Sequence, residues 1–428
     1  MTIKPPFGHP IRNTHFSFSP TYVPLNHGSF GTFPLSVTQH QNQLQTQALE
    51  RPDTFIVFDL PVLIDESRAA IAPLLGVDVD EVVFVPNATT GVNVVLRNLR
   101  WEEGDVVVCF STIYGACEKS LVSVGEVLPV QMEVVELQYP VEDEEILGRL
   151  EERVGKVRQE GKRIRLAMFD TVLTFPGARM PWERLVAKCK ELEVLSLIDG
   201  AHGIGHIDLR ELGKVAPDFF VSNCHKWLYT PRGCAVFHVP FKNQHLIRTS
   251  LPTSHGYQHP NKPPEKIDGK TPFVHLFEFV ATIDYSPYAC VPAALSFRQK
   301  ICGGEEEIRK YCFNLARTGG AAVAKILGTH VMDTKSGTMS QCCFANVALP
   351  LAFGEGKKFG TDEAPRIQKW LNGTAVREFD TYLQIALHGG IMWVRLSAQI
   401  YLEGKDFEWV GYRLKELCVR IEGGEVDR

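Results

Sequence analysis

The feature that most constrains this chain is an alternation, between residues 81 and 239, of short apolar runs with amphipathic segments. EVVFVPN (81–87) reads as a strand and NATTGVNVVLRNL (87–99) as a helix. DVVVCFS (105–111) and IYGACEKSLVSVG (113–125) repeat the pair. RIRLAMFD (163–170), PWERLVAKCKELE (181–193) and VLSLIDG (194–200) follow as strand, helix and strand. DFFVSNCHKWL (218–228) and CAVFHV (234–239) are both strand-like. Strands this apolar are buried on both faces, and helices between them supply the cover. The pattern predicts an α/β fold with a large, mostly parallel sheet.

Outside that stretch the pattern changes. Residues 1–20 are Pro-rich and read as an irregular N-terminal arm; VPLNHGSFG (23–31) is turn-rich, and DESRAAIAPLLG (65–76) is a helix ending near Gly76. HPNKPPEKIDGKTP (259–272) reads as a loop. After about residue 295, helices such as EEEIRKYCFNLARTGGAAVAKIL (305–327) mix with strand-like runs such as MSQCCFANVALP (339–350). We expect a large domain over 21–295 and a smaller α+β C-terminal domain over 296–428.

A net charge of −5 leaves no basic footprint for nucleic acid; Lys162, Arg163 and Arg165 read as a solvated face before a strand. The N-terminus has no apolar signal core, the C-terminus carries no anchor motif, and no run of 18 apolar residues could span a membrane. Eleven scattered cysteines, without a CxxC pair, fit a reduced, cytoplasmic protein. Cys342 and Cys343 read as buried hydrophobes rather than as a disulfide or metal site.

Ligands of open parallel sheets sit at the carboxyl ends of strands. Asp170, Asp199 and the SNCHK segment containing Lys226 all fall at such ends. Thr89, Thr90 and Gly91 open a helix, where free N–H groups and the helix dipole suit a phosphate; a ligand-free helix cap explains them as well. A lysine in an apolar pocket can act as an amine nucleophile toward a carbonyl cofactor, although an isolated strand-end lysine is more often only a surface group. Asp199 could hold a protonated ring nitrogen or cap the following segment. GAHGIGH lacks dinucleotide spacing. His202 and His206 are four apart, but Gly203 and Gly205 argue against a ligand-bearing helix, so no metal is expected.

Taken together, VSNCHKWLYTPRGCAVFHV resembles the cofactor-lysine motif of the pyridoxal-phosphate (PLP)-dependent class V aminotransferase-like enzymes. LIDGAHGIGHIDL resembles their acidic motif, 27 residues upstream of Lys226 when counted from Asp199. NHGSFG, NATTGVN, STIYGA and VRLSAQIY match in the family's order, from about residue 20 to 420. The chain looks most like the isopenicillin N epimerase-like branch, with which the fungal hercynylcysteine sulfoxide lyases and related alkaloid-pathway enzymes belong. The resemblance implies fold type I, pyridoxal 5′-phosphate as cofactor, an amino-acid substrate and a homodimer.

Residue by residue, the resemblance implies that Lys226 carries the cofactor as a Schiff base and moves protons. Asp199 would pair with the ring nitrogen, His202 would lie beside the ring hydroxyl, and Tyr114 would stack on the ring. Thr89, Thr90 and Asn223 would meet the phosphate, His225 would adjoin the lysine, and Asp170 and Thr174 would lie on the hydroxyl side. Thr282 would reach the neighbouring subunit's phosphate. Arg395 would take the substrate carboxylate, with Asn26 and His27 on the substrate side. Ala281 stands where the family has Gly, and Leu402 where relatives often have Asn. No cysteine matches the persulfide-forming one of cysteine desulfurases. The expected reaction is β-elimination with C–S cleavage of a cysteine-derived sulfoxide or thioether. The alternatives are epimerisation or bond formation in a natural-product pathway, and a PLP-fold protein that binds without catalysis.

Overall fold

The computed structural model describes residues 6–427, except 262–264 and 268. A seven-stranded sheet contains β1 (Val82–Val85), β2 (Asp105–Phe110), β3 (Val130–Val135), β4 (Arg163–Asp170), β5 (Leu195–Asp199), β6 (Phe219–Asn223) and β7 (Ala235–His238), in the order β1-β7-β6-β5-β4-β2-β3. Strands β3, β2, β4, β5 and β6 run parallel, and β7 runs antiparallel to both β6 and β1. The Cys224–Cys234 connection is too short for a parallel crossover, which takes about a dozen residues or more. Strands β1, β2, β6 and β7 are buried throughout, as their unbroken apolar runs require. Strand β3, absent from the sequence reading, lies at the sheet edge and leaves Gln131 exposed. Its polar interruptions hide the apolar run that marks the central strands.

A second, antiparallel sheet has the order β8 (Phe344–Ala352), β10 (Ile391–Ser397), β9 (Gln384–His388). Helices Glu305–Leu327, Ala364–Phe379 and Gly404–Glu422 accompany it. A methyl group at Gly319 would meet the Phe407 ring at 2.5 Å, so glycine there lets the first and last of these helices touch.

Four local expectations change. The arm is not wholly irregular: His9–His15 is a helix with Pro10 in its first turn, where the missing N–H costs nothing. Gly8 N–H donates to Ile400 O at 2.7 Å and the His9 ring meets Asp406 at 3.0 Å, which ties the arm to the C-terminal region; residues 1–5 lie outside the described residues. The strand reading of 218–228 stops at Asn223, and Cys224–Trp227 is a helical turn. Cys342 and Cys343 are buried just before β8 rather than within it. Of the 259–272 loop, positions 262–264 and 268 lie outside the described residues, and Pro272 already opens the helix Pro272–Glu278.

Candidate active site

Strands β4, β5 and β6 end side by side, and their carboxyl ends build the site. Asp170 pairs with Asp199 in the β4–β5 register, and both are buried. The helical turn after β6 carries Lys226, also buried, with Nζ 3.3 Å from His202 Nε2. Burial lowers the Lys226 pKa to about 8; the Asp199 charge opposes that shift and the Arg395 charge adds to it. Burial raises the Asp199 pKa, while hydrogen bonds from the Ala201 N–H (2.9 Å) and the Cys117 thiol (3.3 Å) favour its ionised form. Burial holds Asp170 well above the ordinary carboxylate value, and the Asp199 charge adds to the rise.

His202 is neutral, because burial and then the Lys226 charge hold its pKa well below the usual value. Its Nδ1 accepts from Trp227 Nε1 at 3.1 Å, and its Nε2 lies 3.4 Å from Thr174 Oγ1. Tyr114 precedes the helix Gly115–Gly125 and is 43% exposed, so its ring has a free face. The Asn223 side-chain oxygen accepts the Ala88 N–H at 2.8 Å, joining the end of β6 to the start of the Ala88–Asn98 helix. Asn87 caps that helix by accepting from the Thr90 N–H at 2.8 Å, and Thr89 and Thr90 are half-buried in its first turn. His225 donates from Nδ1 to Cys234 O at 3.0 Å, and burial lowers its pKa to about 4.

Arg395, fully buried on β10, brings the small sheet to this cluster. Its guanidinium donates to Thr174 O (2.6 Å), Asn26 Oδ1 (2.9 Å) and Ser29 Oγ (3.0 Å), and lies 4.5 Å from the Phe344 ring centre. None of these partners is charged, Nε has no partner among the described residues, and burial lowers the pKa to about 9. A buried cation with neutral partners is costly until an anion joins it.

His27 sits differently from the substrate side on which the sequence put it. Nε2 meets Lys226 O at 2.6 Å and Nδ1 meets Tyr401 Oη at 2.7 Å, so both ring nitrogens are taken up inside the protein. Thr282 is not gathered with Lys226. It is exposed and lines a surface cavity of about 390 Å³ with Leu49, Phe55 and Ile283. Its neighbour Ala281 has φ 62°, the left-handed region that glycine adopts without strain, which accounts for Gly at that place in the family motif. Sequence reasoning missed Cys117, Ser29, His206 and Phe344. Cys117 lies one turn beyond Tyr114 in IYGAC, His206 four residues beyond His202 and Ser29 three beyond Asn26, whereas Phe344 becomes a neighbour of the site only through long-range packing.

The model of the family "Aminotransferase class-V" matches residues 59–285. The chain belongs to the class V aminotransferase family. Within that family, an L-cysteine desulfhydrase-like protein of Epichloe uncinata is 36% identical, with 98% of each chain covered. A hercynylcysteine sulfoxide lyase of Schizosaccharomyces pombe is 31% identical over 96% of this chain and 98% of its own. Among solved structures, the cystine C–S lyase C-DES, in complex with its product cysteine persulfide, superposes with a TM-score of 0.75 at 19% identity, covering 92% of this chain and 97% of that one. This class V aminotransferase family member therefore has the fold-type I architecture of a large, mostly parallel sheet with a smaller antiparallel one.

Proposed function

We propose that the protein is a pyridoxal-phosphate-dependent lyase that cleaves the Cβ–S bond of a cysteine-derived amino acid. The observation that carries the reading is the constellation of a buried lysine, a buried carboxylate pair and a buried arginine with no anionic partner. Family membership and similarity to C–S lyases along nearly the whole chain support it.

The donor set fits that cofactor. Lys226, with its pKa lowered to about 8, is an amine suited to a carbonyl. Asp199 is an acceptor for a protonated ring nitrogen, and the neutral His202, with Thr174 and Asp170, would flank the ring hydroxyl. Tyr114 would cover the ring, Thr89, Thr90 and Asn223 would serve the phosphate end, and His225 would adjoin the lysine. When bound, the cofactor supplies an electron-withdrawing ring that takes up the electron pair left at the substrate Cα. Arg395 would hold the substrate carboxylate, helped by Asn26, which is already aimed at the guanidinium. Lys226 Nζ would take the Cα proton, and the negative charge of Asp199 would keep the ring nitrogen protonated. His27, bonded to Lys226 O, would hold the lysine's backbone rather than touch substrate. Loss of the Cα proton and of a thiolate or sulfenate from Cβ leaves 2-aminoacrylate, which hydrolyses to pyruvate and ammonia.

We also propose a homodimer in which Thr282 meets the partner's phosphate site. Leu49 (84% exposed) and Phe58 (69% exposed) support this, since such apolar exposure marks a contact surface and Leu49 lines the same cavity as Thr282. The reading includes a division at 295/296 and a reducing, cytoplasmic setting, the latter supported by eleven cysteines scattered along the chain without a CxxC pair. No helix among the described residues is long and apolar enough to cross a membrane.

The test is to incubate the protein, loaded with pyridoxal phosphate, with a panel of cysteine thioethers and cysteine sulfoxides, without a keto acid. Pyruvate release is expected. No pyruvate but consumption of an added keto acid would make the protein a transaminase, and Cα deuterium exchange alone would make it an epimerase or bond-forming enzyme.

A further inference from the structure

Buried histidines surround Lys226, and their neighbours dictate where each proton sits. A neutral imidazole has one donor and one acceptor nitrogen, an indole N–H or backbone N–H only donates, and a carbonyl only accepts. His206 Nε2 accepts the Cys343 N–H at 2.7 Å, so its proton is on Nδ1, facing His202 O at 2.9 Å. His27 Nε2 faces Lys226 O, so its proton is on Nε2 and Nδ1 accepts from Tyr401. His202 Nδ1 faces the Trp227 indole N–H, which leaves Nε2 as its protonated nitrogen.

We propose that Trp227 is a positioning residue that fixes His202 in the Nε2–H form, so that a hydrogen-bond donor, never an acceptor, faces Lys226 Nζ. The indole is itself held in place. Trp227 is fully buried, stacked on His206 at 4.0 Å between ring centres, and its carbonyl accepts from Arg298 at 2.7 Å. His206 in turn grips the His202 backbone, so ring and main chain are pinned together.

The consequence lies at Nζ. A neutral amine can accept from His202 Nε2–H, whereas an ammonium there would set donor against donor. Trp227, acting through His202, therefore favours the free-base lysine that attack on a carbonyl requires. The Asp199 charge favours the charged lysine and the Arg395 charge disfavours it, while Asp170 and the Cys117 thiol, which also face it, are neutral. Neutral His27 lies on the lysine's backbone side and His225 is its chain neighbour. Phenylalanine at 227 would keep an aromatic ring but remove the donor. His202 could then move its proton to Nδ1 and accept from an ammonium at the same 3.3 Å separation.

The tautomer itself does not depend on the proposed substrate; only its use rests on the cofactor reading. The protein, with and without pyridoxal phosphate, is labelled with 15N in its histidine rings and tryptophan indoles, and long-range 1H–15N correlation identifies the protonated nitrogen. His202→Gln assigns the signals. A single Nε2–H form is expected for His202, with a scalar coupling across the hydrogen bond between Trp227 Nε1 and His202 Nδ1. A protonated Nδ1, or absence of the coupling, overturns the proposal without any variant at Trp227. In folded Trp227→Phe, we expect a mixture of tautomers and an upward shift of the Lys226 titration followed by 13Cε resonance in the cofactor-free protein. If His202 remains wholly Nε2–H in that variant, the indole is not what fixes it. Absence of pyruvate release in the lyase assay leaves these readouts unchanged, so the two failures are distinguishable.

Discussion

Asp170 and Asp199 face each other in register at the ends of adjacent parallel strands, both buried, and only Asp199 receives the Ala201 N–H and Cys117 thiol hydrogen bonds. Two neighbouring carboxylates in a dry site do not both ionise, and the proton settles on the one with less support for its charge. Asp170 therefore holds the proton and Asp199 the charge.

Asp199→Ala is expected to bind pyridoxal phosphate weakly and to lower kcat for pyruvate formation by about 100- to 1,000-fold or more, the scale seen when one preorganised electrostatic group is removed. Near-normal turnover would mean that the ring is oriented otherwise.

Asp170 also sets a pH dependence. Its folded pKa is raised, so its contribution to stability is full below the unfolded value of about 3.9 and is lost as pH rises through the folded pKa. Asp170→Asn removes that loss. Urea midpoints of the cofactor-free protein at pH 4 and pH 8 should show the variant gaining on wild type at the higher pH.

His27 acts in the opposite direction. Burial lowers its pKa to about 3, so its contribution is full above the unfolded value of about 6.5 and is lost as pH falls toward 3. His27→Gln should flatten the acid limb of the stability curve between those values. An unchanged slope would show that His27 is protonated in the folded protein.

Arg395→Met should raise KM for amino-acid substrates, with kcat/KM falling by the equivalent of about 2–5 kcal/mol, as when one partner of a buried charged pair is truncated. The same change should leave the cofactor-free protein as stable as wild type or more so, because it removes a buried cation that has only neutral partners. Lysine should not rescue binding, since it lacks the planar fork. A large loss of stability in Arg395→Met would assign the arginine to structure alone.

Phe58→Glu combined with Leu49→Glu should split the proposed dimer in sedimentation velocity and weaken retention of pyridoxal phosphate. A wild-type monomer active at assay concentration would contradict the shared site.

Borohydride reduction of the loaded protein should fix the cofactor to the peptide containing Lys226. Labelling of a different lysine would remove Lys226 from its proposed role.

The sequence alone determined what depends on neighbours along the chain. The buried strands are continuous apolar runs, so β1, β2, β4, β5, β6 and β7 were legible, and so were the polar residues at their ends, because strand termini follow directly from where apolar runs stop. Ordered motifs from NHGSFG to VRLSAQIY point to the family from the sequence alone. The edge strand β3 was hidden because one exposed side admits polar residues, and the arm helix was hidden because its stability comes from docking onto residues some 390 positions away. Only the tertiary structure could decide the chemistry of each side chain. Asp170 and Asp199 look equivalent as letters, and their difference is made by Cys117 and Ala201 approaching one of them. The motif places His27 on the substrate side, yet Tyr401 and the Lys226 carbonyl occupy both of its nitrogens. The proton of His202 is set by an indole 25 residues away. Proton positions and charges depend on donors and acceptors within about 3 Å, and distances on that scale between residues remote in sequence exist only once the chain has folded.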